Sequence, residues 1–194
     1  MKIQNAEFFA RDCVELAKAL LGKTICVKHG DTTTKKTITE TEAYGINDSA
    51  CHCFKGHTKR NAPMFEAGGT VYVYLCYGIH EILNISAGNV GEGQGVMLRG
   101  VKRVEHIEHR NCEDMIRTVG NVIGPGLVTK VLGVDRSYNN EFLPDSTRIW
   151  LEDGITVEEN NIECLKRVGI GYATQADQDK LWRFRILSTG NLKN

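Results

Sequence analysis

Val71-Tyr72-Val73-Tyr74-Leu75-Cys76-Tyr77-Gly78 decides the fold. Branched and aromatic residues fill it, Gly78-Ile79 interrupts it, and a second apolar run at 82–87 follows. That pattern predicts two antiparallel strands, over 70–77 and 82–87, joined by a short turn. Period-2 alternation sends Tyr72 and Tyr74 to one face, whereas Tyr77 falls at the turn itself. A tyrosine at a hairpin tip has two readings. It can stabilise the hairpin by cross-strand pairing, or it can act as a wedge pushed between base steps of a duplex.

Upstream of the hairpin, Ile38-Thr39-Glu40-Thr41-Glu42-Ala43-Tyr44-Gly45 belongs to a strand expected over 37–44. An earlier strand, over 24–28, leads into it through the polar turn His29-Gly30-Asp31. Regular alternation puts Ile38, Glu40, Glu42 and Tyr44 on one face and Thr39, Thr41 and Ala43 on the other. Two carboxylates on one face are either solvated or set in a cleft. Their place at a strand end, ahead of a long aperiodic segment (45–69) carrying His52, Lys59 and Arg60, favours the cleft. A carboxylate there would serve as a general base that activates water, kept ionised by a neighbouring arginine. Arg99, on an apolar strand expected over 96–101, needs a partner, and Glu42 is the natural one.

The remaining elements fit a mixed chain of one domain, 1–194. Asn5 caps a helix expected over 6–21 that Gly22 stops. A charged helix is expected over 103–117, and Gly124-Pro125-Gly126 precedes another over 127–132. Short strands are expected over 148–151, 155–157 and 182–187.

Composition narrows the classes. Lys and Arg number 24, Asp and Glu 24, and the formal net charge is zero, so any nucleic-acid surface has to be a local patch. Candidate phosphate contacts are Lys55, Lys59, Arg60, Lys102, Arg103, Arg110, Lys130, Arg136 and Arg167, although a cation of this kind taken alone is more often a solvated surface charge. Seven cysteines without regular spacing indicate free thiols in a reducing compartment. Cys51-His52-Cys53 with His57, Cys76 and His80 lacks the paired spacing of zinc sites, so no metal is expected. Gly124-Pro125-Gly126 lacks the Lys-Ser/Thr of a P-loop. No apolar run approaches the roughly 20 residues of a membrane span.

Taken in order, these residues resemble the alkyladenine (3-methyladenine) DNA glycosylase family. The likeness rests on Glu40-Thr41-Glu42-Ala43-Tyr44, Ala50 with His52, Thr58 with Arg60-Asn61, Met64-Phe65, Tyr72-Val73-Tyr74 with Tyr77-Gly78, Asn84, and Leu98-Arg99. Gly124-Pro125-Gly126 and Arg167-Val168-Gly169-Ile170-Gly171 extend it almost to the end of the chain. The resemblance implies that Glu42 activates the attacking water, held also by Arg99 and the backbone carbonyl of Val168. Tyr44, His52 and Tyr74 would line the base pocket, with His52 on the base edge and Asn84 disfavouring the exocyclic amino group of guanine. Tyr77 would fill the space left in the stack, and Thr58, Arg60, Asn61, Met64 and Lys130 would contact DNA.

It further implies an α+β fold, a single compact mixed domain with a curved antiparallel sheet and a protruding β-hairpin. The expected protein is a monomer without cofactor or membrane association. Its partner would be double-stranded DNA containing damaged purines, in the cytoplasmic nucleoid of a bacterium or the nucleus of a eukaryote. The lesions would be 3-methyladenine and, to varying degrees, 7-methylguanine, hypoxanthine and ethenoadenine. Water as nucleophile makes the expected enzyme monofunctional, leaving an abasic site with the backbone uncut. Three places depart from the family: Leu127 stands where lysine is common, Gly100-Val101-Lys102-Arg103 follows the catalytic arginine, and 185–194 matches poorly. Two other classes compete. A non-catalytic nucleic-acid module would have lost Glu42 or Arg99, and a zinc nuclease or deaminase would need ligand spacing that is absent.

Overall fold

The computed structural model describes residues 1–103 and 121–187. The helix expected over 103–117, whose first residue closes a strand, otherwise lies outside the described residues, as does Arg110. Threonines crowd positions 32–41, and β-branching holds the chain extended there. Strand β2 accordingly runs Thr32–Tyr44, starting earlier than expected, and folds back on β1 (Thr24–His29) through a turn at Gly30. The expected hairpin is β3 (Val71–Cys76) with β4 (His80–Ala87), and β5 (Gln94–Arg103) follows. Four short strands complete the sheet: β6 (Asn121–Ile123), β7 (Ile149–Glu152), β8 (Ile162–Leu165) and β9 (Arg183–Ile186).

All pairings are antiparallel. The main path runs β3-β4-β5-β2-β1-β7, with β6 beside β5 and β8-β9 joined to the far half of β2. One face packs against α1 (Cys13–Leu20) and α2 (Pro125–Leu132), burying Leu16, Leu20, Val128 and Leu132 with Ile25, Val96 and Leu98. Each such aliphatic side chain contributes roughly 1.5–3 kcal/mol relative to exposure. The other face carries a smaller cluster containing Tyr44, Cys51, Met64, Tyr72 and Met97 under the loops. This is a curled antiparallel sheet of the α+β class with a projecting hairpin, as expected.

Three expectations are corrected. The helix over 6–21 is broken into a 3-10 turn, Ala6–Phe8, and α1, capped by Asp12. The Phe9 carbonyl accepts from Gly88 N at 3.1 Å, and Cys13 N donates to Gln94 Oε1 at 3.1 Å. Those two tertiary bonds replace the helical bond between residues 9 and 13. The strand expected over 155–157 is absent; Ile155 N is bonded instead to Gly22 O, where the segment crosses the end of α1. The alternation also fails at Ile38. A bulge at Glu40, facing Gly100, moves Ile38 to the helix-covered face with Ala43, while Glu40, Glu42 and Tyr44 keep the opposite face. Strands β6 and β8 and the short helix α3 (Gln175–Asp179) are additional elements.

Candidate active site

The bulge is what assembles the charges. It aims Glu40 and Glu42 from β2 and Arg99 from β5 toward one another on the face away from the helices. Glu42 is completely buried. Its Oε2 accepts from the Tyr44 hydroxyl at 2.8 Å and its Oε1 from Val168 N at 3.1 Å, while Arg99 Nη1 lies 3.5 Å from Oε1. Burial raises the Glu42 carboxyl above its ordinary value; Arg99 foremost, then Tyr44, the Val168 N–H and Arg183, oppose the rise. Burial and the adjacent carboxylate hold Tyr44 protonated, so its hydroxyl is a fixed donor.

Val168 sits on the loop preceding α3, and Arg167 ties that loop down. Its guanidinium is fully buried in a two-pronged pair with Asp48, donates to Ala43 O at 2.9 Å and Asp177 O at 3.1 Å, and lies 4.9 Å from the Tyr44 ring centre. Arg167 is therefore a strut of the interior and, contrary to expectation, not a surface phosphate contact.

The aromatic side is built from β3 and the 45–69 loop. His52 Nδ1 lies 3.1 Å from the Tyr72 hydroxyl, and its ring meets Tyr74 edge-on with centroids 4.5 Å apart. Desolvation, and then the charge of Arg60, push His52 below its ordinary value, so the ring is neutral near pH 7. Arg60 lies 5.4 Å from the Tyr74 ring centre. Asn84 is buried and donates from Nδ2 to Tyr72 O and Ile82 O, both at 3.2 Å.

Asn61 is buried and spends its side chain within the loop. Its Oδ1 accepts from Thr58 N and Thr58 Oγ1, and Nδ2 donates to His52 O and Gly56 O at 2.9 and 3.0 Å. Met64 is buried beneath the same loop, whereas Arg60 and Lys130 are exposed. At the hairpin tip Tyr77 is 91% exposed with φ 50°, and Gly78 follows with φ 74°. A bulky residue in the left-handed region is a backbone outlier. Among the described residues, no group of three or more His, Cys, Asp or Glu side chains is arranged to hold a metal ion.

Comparison with known proteins fits this geometry. The Methylpurine-DNA glycosylase (MPG) family profile matches residues 7–189. The chain belongs to that family. An Arabidopsis thaliana protein named "DNA-3-methyladenine glycosylase" is 39% identical over 97% of this chain and 73% of its own. Proteins of Borreliella afzelii and Clostridium perfringens, each named "Putative 3-methyladenine DNA glycosylase", are 38% and 36% identical, covering 92% and 93% of this chain and 93% of their own.

The expected residues of this glycosylase-family site divide by location. Glu42, Arg99, Tyr44 and the Val168 main chain meet at one point; His52, Tyr74 and Asn84 gather next to it on β3, β4 and the loop; Tyr77 stands apart at the tip. Sequence reasoning passed over Arg183, 2.9 Å from Glu40 through Nη1, and the Asp48–Arg167 pair. Arg183 lies on a short strand with no charge pattern to mark it. Asp48 lies in the aperiodic loop, where nothing in the spacing links it to a residue over a hundred positions away.

Proposed function

We propose that the protein is a monofunctional DNA glycosylase that excises alkylated and deaminated purines from duplex DNA by extruding the nucleotide and directing water at C1′. The observation that carries this reading is the buried Glu42, held between Arg99, the Tyr44 hydroxyl and Val168 N–H on the same face as the His52–Tyr74 aromatic corner. Glu42 is the general base, and Arg99 keeps it ionised and helps hold the water with the Val168 carbonyl. Departure of the base develops positive charge on the sugar, which the carboxylate also stabilises. An alkylated purine is already cationic and leaves neutral, so 3-methyladenine and 7-methylguanine require no acid. Hypoxanthine and ethenoadenine leave more slowly on this account.

Tyr44 and Tyr74 are the stacking surfaces for the extruded base, and neutral His52, oriented by Tyr72, bonds its edge. Asn84, clamped by two main-chain carbonyls, is a fixed wall that disfavours the amino group of guanine. Tyr77 fills the vacated stack as the protein acts as a monomer. Thr58, Arg60 and Lys130 approach the DNA, and Asn61 and Met64 set the shape of the loop that carries them. Extrusion costs a few kcal/mol, less for damaged or mispaired bases, which adds selectivity.

The test is release of free base from methylated duplex DNA in EDTA, wild type beside Glu42→Gln. Release by wild type alone, with strands cut only after alkali, is expected, and Glu42→Gln should retain affinity for an abasic-site analogue. A wild type that binds the duplex but releases nothing would overturn the catalytic reading.

A further inference from the structure

Glu42 and Arg99 do not meet as an isolated pair. Arg183 on β9 donates from Nη1 to Glu40 Oε1 at 2.9 Å, and its Nε lies 3.9 Å from Glu42 Oε1. Arg99 completes a ring of alternating charge, with Nε 3.3 Å from Glu40 Oε1 and Nη1 3.5 Å from Glu42 Oε1. Arg99 Nε is buried and makes no hydrogen bond among the described residues, so the guanidinium is located by its neighbours' charge more than by directed bonds. Arg183 also donates from Nε to Lys166 O at 2.8 Å, two residues before the Val168 N–H that holds Glu42.

We propose that Arg183 and Glu40 are positioning residues of the reaction: together they fix Arg99 and the Val168 loop and set the ionisation of Glu42 in opposite directions. Resting on the glycosylase reading above, this adds two residues to its chemistry. Arg183 is a second cation favouring the charged form of Glu42, and Glu40 is a like charge that competes for both arginines. The other groups facing Glu42 are Tyr44 from β2 and Val168 N from the loop, with Arg167 neutralised by Asp48 behind Tyr44. Arg185, opposite Glu40 in register, is committed to Glu163.

Single-turnover release of base from methylated duplex DNA, measured from pH 5 to pH 9, separates this from ordinary packing. Arg183→Gln should move the acid limb to higher pH, losing roughly tenfold at pH 6 and recovering to within about threefold of wild type at pH 9. Glu40→Gln should move the limb to lower pH, and Arg183→Lys, which keeps the charge, should leave it near the wild-type position. Uniform loss at every pH in both glutamine variants would overturn the proposal. If one of them does not fold, the direction of the other's shift still decides. A wild type without Glu42-dependent release would refute the glycosylase reading itself, which the same titration reports separately.

Discussion

Replacing Tyr77 by asparagine should raise stability and lower activity together. A left-handed backbone costs a residue with a β-carbon roughly 1–2 kcal/mol, and Tyr77 has φ 50°. Asparagine tolerates that region through local hydrogen bonding. At 91% exposure the ring loses little burial when removed, and the turn bond from Ile79 N to Cys76 O at 3.2 Å is main-chain only. The substitution should therefore return about 1 kcal/mol, or roughly 2–4 °C in Tm for a chain of this length. Stacking of an aromatic on a base is worth about 1–3 kcal/mol, so single-turnover excision from a paired lesion should fall roughly tenfold to a hundredfold. A lesion that is already mispaired needs less help and should lose less. Thermal melts followed by circular dichroism, beside excision from paired and mispaired duplexes, check both halves. A lower Tm would mean that the tyrosine stabilises its own hairpin, and unchanged excision would remove the wedge.

Glu42→Gln should be at least as stable as wild type at pH 8, with the difference fading as pH falls. Burial raises the folded-state value of Glu42 above the unfolded one, so ionisation opposes folding at high pH and is without effect once the carboxyl is neutral in both states. Melts at pH 8 and pH 4.5 test the sign, and a variant less stable only at pH 8 would contradict it. Asp48→Asn should cost about 3 kcal/mol or more, because it strands the buried Arg167 guanidinium; a Tm within 2 °C of wild type, against a fall of ~6 °C or more, would show the pair to be dispensable. Leu127→Lys, on the half-exposed first turn of α2, should steepen the dependence of log affinity on log salt by about 0.9. An unchanged slope would place that helix end away from the DNA backbone.

The strands were legible where side-chain period and turn residues agreed. β3 and β4 are marked by tyrosines and Gly78, and β1 and β2 by Gly30 between β-branched runs. The errors share a cause: a local signal yielded to a bond made far along the chain. Residues 6–21 have the apolar spacing of one helix, yet Gly88 and Gln94 take the backbone groups that would join its halves. Strict alternation from Ile38 to Tyr44 is broken by a bulge whose need lies in β5, where Gly100 leaves room for it; a β-carbon there would come within 2.8 Å of Glu40 Cβ. Glu42 and Arg99 were legible because a cation on an apolar strand demands a partner. Arg183 was not, because its partners are set by β9 pairing with β2, which four residues of β9 do not announce.

Zero net charge and a nucleic-acid substrate are compatible because much of this charge is turned inward. Glu40, Glu42 and Asp48 are buried against Arg99, Arg183 and Arg167, three acids cancelled by three bases inside the molecule. Such groups contribute little to the field outside, whatever they add to a formal count. What faces solvent beside the aromatic corner is different. From Ser49 to Phe65 the sequence holds Lys55, Lys59 and Arg60 and no acidic residue, and all three cations are exposed. At the opposite end of the sheet path, Glu152 and Asp153 are paired with Lys35 and Lys23. A polyanion approaching this protein meets local positive charge at the loop that frames His52, and the buried acids that would repel it are already neutralised. On the glycosylase reading proposed above, the same inward pairing sets Glu42 beside two arginines that favour its charged form, the form a general base requires.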